Sequence, residues 1–176
     1  MIRHKFQTTR MDEIQELQKL AKEYLSARQL FLSAIRKDHP ELGGNDNIVG
    51  RIGEFVALQF LRRNNREVTK CKNATNKGFD IECSNGRQIS VNTLTAESRT
   101  GRTTKLKQPW HELIMIYIGD NYEVEKIGHI HIEDFKIAVK EKIVSEDPVA
   151  NRRFFENGLF TKFGVIYSGE QVKDYL

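Results

Sequence analysis

The chain has 176 residues, 39% hydrophobic and 30% charged, a balance that suits one globular domain with an extension and excludes a disordered polymer. No apolar run approaches the length that spans a bilayer, and the opening Met1-Ile2-Arg3-His4-Lys5-Phe6 lacks a signal-peptide core, so the expectation is a cytoplasmic protein with no membrane partner. The formal net charge is +4, but the cations are gathered: Arg62, Arg63, Arg66, Lys70, Lys72 and Lys77 stand against one acid, Glu67, and Arg99, Arg102, Lys105 and Lys107 against none. Two such stripes attract phosphate backbones by releasing counterions.

Apolar residues recur at helical spacing from about Met11 to Lys37 (Ile14, Leu17, Leu20, Tyr24, Leu30, Phe31, Ile35), which predicts one long helix. His39-Pro40 and Gly43-Gly44 stop it. A second helix is expected from Asn45–Asn47 to about Arg63, apolar almost all round and therefore central. Strands are expected at Glu67–Cys71, Phe79–Cys83, Gln88–Thr93, Glu112–Ile118 and Tyr122–Ile132, the last interrupted at Gly128. Helices follow near Glu133–Lys142 and Val149–Asn157, and Leu159–Tyr167 returns as a strand. This order implies an α/β fold with a mixed β-sheet flanked by helices, divided as an N-terminal helical extension, 1–44, and an α/β domain, 45–176.

The segment Gly78–Thr93 carries the most information. Two alternating strands meet at Ser84-Asn85-Gly86, and a three-residue loop with Gly86 left-handed sets Ile81 against Ile89 and Phe79 against Val91. That register gives one apolar face and gathers Asp80, Glu82, Gln88, Ser90 and Asn92 on the other, whereas a one-residue slip mixes both.

Gly50-Arg51-Ile52-Gly53-Glu54 leading into the apolar helix, then Phe79-Asp80-Ile81 and Gln88-Ile89-Ser90-Val91-Asn92-Thr93, resemble the PD-(D/E)XK (restriction-endonuclease-like) nuclease superfamily over roughly Ile48–Thr95. The resemblance implies a restriction-endonuclease-like fold with DNA as partner and Mg²⁺ or Mn²⁺ as cofactor. Asp80 would be the metal ligand, Glu54 the helix glutamate, and Ser90-Val91-Asn92 would stand where Glu-x-Lys belongs. Clustered carboxylates suit a hard cation that bridges to a phosphate, and a lysine orients the attacking water. Ser90 is a poor ligand, so a second carboxylate must come from Glu82 or Glu54. Asn92 has neither charge nor titratable amine. The implied activity is therefore a restriction or repair endonuclease, impaired as Asn92 stands or inactivated by substitution of a natural lysine there. The alternative is a non-catalytic DNA- or protein-binding module on the same scaffold.

Other residues read more plainly. Glu54 is matched by Arg51 one turn back as a structural pair. His129 and His131 point the same way on a strand, but no third metal ligand stands out beside them. Trp110 reads as core, and Cys71 and Cys83 as reduced packing residues. The loop Thr95–Gln108, without apolar periodicity, reads as a mobile DNA-contacting segment, with Arg62, Arg63, Lys72, Lys77, Arg99, Arg102, Lys105 and Lys107 as the phosphate-binding cations. The long first helix has enough apolar surface to pack on the core or on a second copy, the latter giving the homodimer that cutting both strands of a duplex would use.

Overall fold

The computed structural model describes residues 2–38, 47–71, 78–98 and 101–176. The chain forms two compact units, Met1–Asp46 with Leu176, and Asn47–Tyr175. The first is built on α1 (Ile2–Asp38), which begins nine residues before the apolar periodicity does, because nothing from Ile2 to Arg10 is a proline or glycine that would end a helix. Leu17, Leu20 and Leu30 stand exposed along it.

The second unit opens with α2 (Asn47–Arg63), then β1 (Val68–Lys70), β2 (Ile81–Cys83), β3 (Gln88–Thr95), β4 (Arg102–Lys105), β5 (Glu112–Ile118) and β6 (Val124–His131). There follow α3 (Ile132–Lys140), β7 (Val149–Asn151), α4 (Arg153–Glu156), α5 (Leu159–Phe163) and β8 (Val165–Ser168). Six strands make one sheet in the order β1-β2-β3-β5-β6-β8, and β4 pairs with β7 apart from it. The β3–β5 pair is parallel and the other neighbours run antiparallel, so this is an α/β fold on a mixed sheet, as the sequence implies.

The two faces of the sheet are covered differently. Residues of odd number on β3 lie under α2, where Gly53 sits directly on the Thr93 side chain, and Phe60 meets the Tyr167 ring at 4.8 Å. The opposite face carries Leu94, Leu113, Met115 and Ile130, packed with Trp110, Phe135, Phe154 and Phe160 into one core. Covered on both sides, β5 is buried along its whole length, which is why Leu113–Ile118 reads as a continuous apolar run.

Four local expectations need correcting. Val149–Asn157 is not one helix: Val149–Asn151 pairs with β4, and the Asn151 side-chain oxygen accepts from the Arg153 N–H, which starts a separate short helix. The segment after Thr95 is correspondingly part strand, since β4 lies within it. Strand β6 runs through Gly128 without interruption, because the Phe160 ring occupies the space where a Cβ would sit. That ring comes from α5, which takes the place of the first half of the strand expected at Leu159–Tyr167 and ends at Gly164.

The glycines of α2 give a test of this packing. A Cβ at Gly53 would fall 1.7 Å from the Thr93 hydroxyl oxygen, whereas one at Gly50 meets nothing within 4 Å. Gly53→Ala is expected to cost about 1–3 kcal/mol through overpacking. Gly50→Ala should stabilise by up to about 1 kcal/mol through helix propensity. Paired urea melts check the contrast, and equal effects at the two positions would contradict the docking of α2 on β3.

Candidate functional site

The hairpin forms in the expected register at its turn. Ile81 pairs with Ile89 and Glu82 with Gln88, and the Cys83 N–H donates to the Arg87 carbonyl across a Ser84-Asn85-Gly86 loop with Gly86 at φ +77°. Beyond Ile81 the ladder changes. The Asp80 N–H also donates to the Ile89 carbonyl at 2.9 Å, so Asp80 and Ile81 both oppose Ile89, as at a β-bulge. The extra residue turns Phe79 onto the Leu94–Phe160 core rather than against Val91, and re-aims Asp80.

Asp80 therefore does not share a side with Ser90 and Asn92. Its Oδ2 accepts the Val91 N–H at 2.7 Å, and its charged neighbours are Glu54 on α2 and Lys70 at the end of β1. Lys70 Nζ lies 2.5 Å from Glu54 Oε2, so the partner of Glu54 is Lys70 and not Arg51. Ser90 and Asn92 alternate onto the other face with Leu94. There Ser90 is buried, and the Asn92 side-chain oxygen accepts from the Thr104 hydroxyl. Glu82 is exposed on β2, opposite Thr69. The structure thus brings together Glu54, Lys70 and Asp80, and separates them from Ser90 and Asn92. Lys70 was visible in the sequence merely as one cation of a basic run, since the bulge that aims Asp80 at it leaves no mark on a strand pattern.

Burial is the largest influence on Asp80 and pushes its carboxyl above the usual range. The Val91 N–H and Lys70 oppose this, Glu54 adds to it, and the balance stays upward. Two carboxylates with a single ammonium beside them are hard oxygen donors of the kind that hold a divalent cation.

A second cluster lies under the same face. Glu112, at the start of β5, is 1% exposed, and Arg66 grips it with two hydrogen bonds, Nη1 to Oε2 at 2.6 Å and Nη2 to Oε1 at 2.9 Å. His129 Nε2 donates to Oε2 at 2.8 Å, and Arg87 Nε stands 2.8 Å from Oε1, close but not aligned as a hydrogen bond. Burial alone would raise the Glu112 pKa, but the His129 and Arg66 hydrogen bonds outweigh it and hold the carboxyl far below the usual range. Arg66 Nη2 also reaches Cys83 Sγ at 2.9 Å, so this cysteine is more than packing. With His131, the group places three ligand-type atoms within 4.8 Å of one another, and Glu112 is the third member that the His129/His131 pair lacked in the sequence. It was hidden because Glu112 precedes an apolar run and reads there as a strand end.

Among the expected DNA-binding cations, Lys72, Lys77 and Arg99, and the side chain of Arg102, fall outside the described residues. Arg62, Lys105 and Lys107 are exposed. Arg63 serves the fold instead, since its guanidinium donates to the Lys173 and Asp174 carbonyls and lies 4.3 Å from the Tyr175 ring centre. Trp110 is core, 3% exposed against Phe135. No protein-family model matches the chain, and no curated protein is significantly similar to it.

The two carboxylates predict stability effects of opposite sign. Glu112 has a depressed folded-state pKa, so its contribution is complete above the ordinary value of 4.5 and is lost as the pH falls below it. Glu112→Gln is expected to cost about 3 kcal/mol at neutral pH and to flatten the melting temperature's dependence on pH below that value. Asp80 has a raised folded-state pKa, so its contribution is largest in acid and is lost as pH rises through that value. Asp80→Asn should raise the melting temperature at pH 7 while keeping the acceptor for Val91. Thermal denaturation from pH 3 to 8 measures both slopes.

Proposed function

We propose that the chain is a metal-dependent DNA endonuclease of restriction or repair type, centred on Asp80 and Glu54, with Lys70 supplying the cation that Asn92 does not. The observation that carries this reading is the convergence of two carboxylates and a lysine at a β-bulge, with the Asp80 carboxyl pushed upward by burial first and by the neighbouring Glu54 charge after it. Mg²⁺ or Mn²⁺ fits that donor set: Asp80 and Glu54 would hold it, and their mutual repulsion, which Lys70 relieves in part, is the condition a divalent ion removes. When bound, such an ion acidifies a water and offsets charge on a phosphate.

The chain's own residues do the rest. The Val91 N–H fixes one Asp80 oxygen, so the carboxylate keeps its orientation without a lysine on β3. Lys70, 47% exposed, holds a positive charge where the phosphate's developing negative charge would gather. Lys105 and Lys107, exposed beyond β3, add sequence-independent attraction to the DNA backbone. The second reading, a binding module without chemistry, draws support from Asn92: an amide on the other face, hydrogen-bonded to Thr104, is placed for contact and not for proton transfer.

Cleavage of supercoiled plasmid and of branched DNA in Mn²⁺ tests the proposal. Asp80→Ala and Lys70→Met should each lower the rate about a hundredfold or more, and Asn92→Lys should restore nothing, since it faces away from Asp80. Gain of cleavage by Asn92→Lys would move the centre to the other face. Salt-sensitive DNA binding in EDTA, with no cleavage by any variant, would leave the binding module.

A further inference from the structure

The Glu112 cluster holds more positive charge than its carboxylate can balance. Glu112 contributes one negative charge, and two guanidinium groups lie against it. Arg66 is matched edge to edge by both carboxylate oxygens and is spent on that pair. Arg87 is not: its Nε approaches Oε1 obliquely, and its side chain, 38% exposed, reaches the surface beside the hairpin turn. Its Nη2 donates to His131 Nδ1 at 3.1 Å. Because a guanidinium can only donate, that ring nitrogen must accept, which puts the proton of a neutral His131 on Nε2 as a further donor. The surplus charge therefore rests on Arg87, with an imidazole N–H beside it.

We propose that Arg87 and His131 form an oxyanion site that binds a phosphate group, with Glu112 as the residue that positions Arg87. This site stands apart from the Asp80 centre and does not rest on its chemistry. Glu112, His129 and His131 could instead be read as metal ligands, since their donor atoms lie within 4.8 Å of one another. The charges oppose this. Like charges at these distances repel strongly in a partly buried site, and the repulsion doubles for a divalent ion. Such an ion here would meet two guanidinium groups, with one carboxylate to offset them. An anion meets the reverse situation. The ion pair with buried Glu112 and the hydrogen bond to His131 restrict the Arg87 side chain beforehand, so less side-chain entropy remains to be lost when its other N–H groups engage a phosphate.

The test is binding in EDTA at low salt, read by fluorescence anisotropy of a 3′-labelled oligonucleotide bearing either a 5′-phosphate or a 5′-hydroxyl, with inorganic phosphate as competitor. Competition by phosphate at millimolar concentration is expected, together with about tenfold weaker binding by Arg87→Gln. Arg87→Lys, which keeps the charge but loses the fork, should also weaken phosphate competition. A preference for the 5′-phosphate would identify a terminal phosphomonoester, and equal binding of both forms a backbone phosphodiester. Because binding is read in EDTA, where the proposed nuclease centre holds no metal, loss of phosphate competition in the Arg87 variants bears on this site alone. Unaltered phosphate competition in both folded Arg87 variants would overturn the proposal. So would a visible absorption band on adding Co²⁺ that is lost in His131→Ala.

Discussion

The unit from Asn47 to Tyr175 is organised around a carboxylate that has almost no access to water. Glu112 opens the most buried strand of the sheet, and an acid there is tolerable because three neighbouring segments supply its partners. Arg66 comes from the turn between α2 and β1, Arg87 from the hairpin, and His129 from β6. The network therefore ties the entrance of β5 to the strands on both sides of it and to the exit of the central helix. Directional bonds of this kind add little net stability over an apolar substitute of the same shape, but they penalise any register that leaves the charge unmatched. Glu112 pairs with Ile89 and with His131, so a slip on either side of β5 would strand it.

Within that fixed frame, one inserted residue decides the candidate chemistry. A regular hairpin would have carried Asp80 onto the face of Ser90 and Asn92. The bulge opposite Ile89 sends it toward α2 instead, into the company of Glu54 and Lys70, and gives Phe79 to the main core. Bulges commonly re-aim a side chain beside a functional site. The gain here is a carboxylate locked by a backbone N–H, and the cost is an acid less willing to ionise than one in water.

Much of the architecture was legible in the sequence. The periodicity of Ile48–Leu61 gave a central helix, the Leu113–Ile118 run gave a doubly covered strand, and the three-residue turn with Gly86 set the pairing of Ile81 with Ile89. What was not legible depends on contacts distant in the chain. Val149–Asn151 has the composition of either state and becomes strand because β4 lies beside it. Gly128 reads as an interruption until the Phe160 ring is seen filling its place. The candidate site was half legible: Asp80 and Glu54 stood out through a resemblance, while Lys70 and Glu112 come into place through a bulge and strand pairing that no local pattern encodes.

The outer edge of the sheet has a consequence of its own. Strand β8 is four residues long, with Val165 51% exposed, and the left-handed Gly169 ends it in a helical turn closed by the reciprocal bonds of Ser168 and Gln171. A longer flat ribbon there would offer its free amides as a template on which further copies could stack sideways. By bending away after a single exposed valine, the chain keeps this border too brief to seed such growth, a safeguard supplied by backbone geometry.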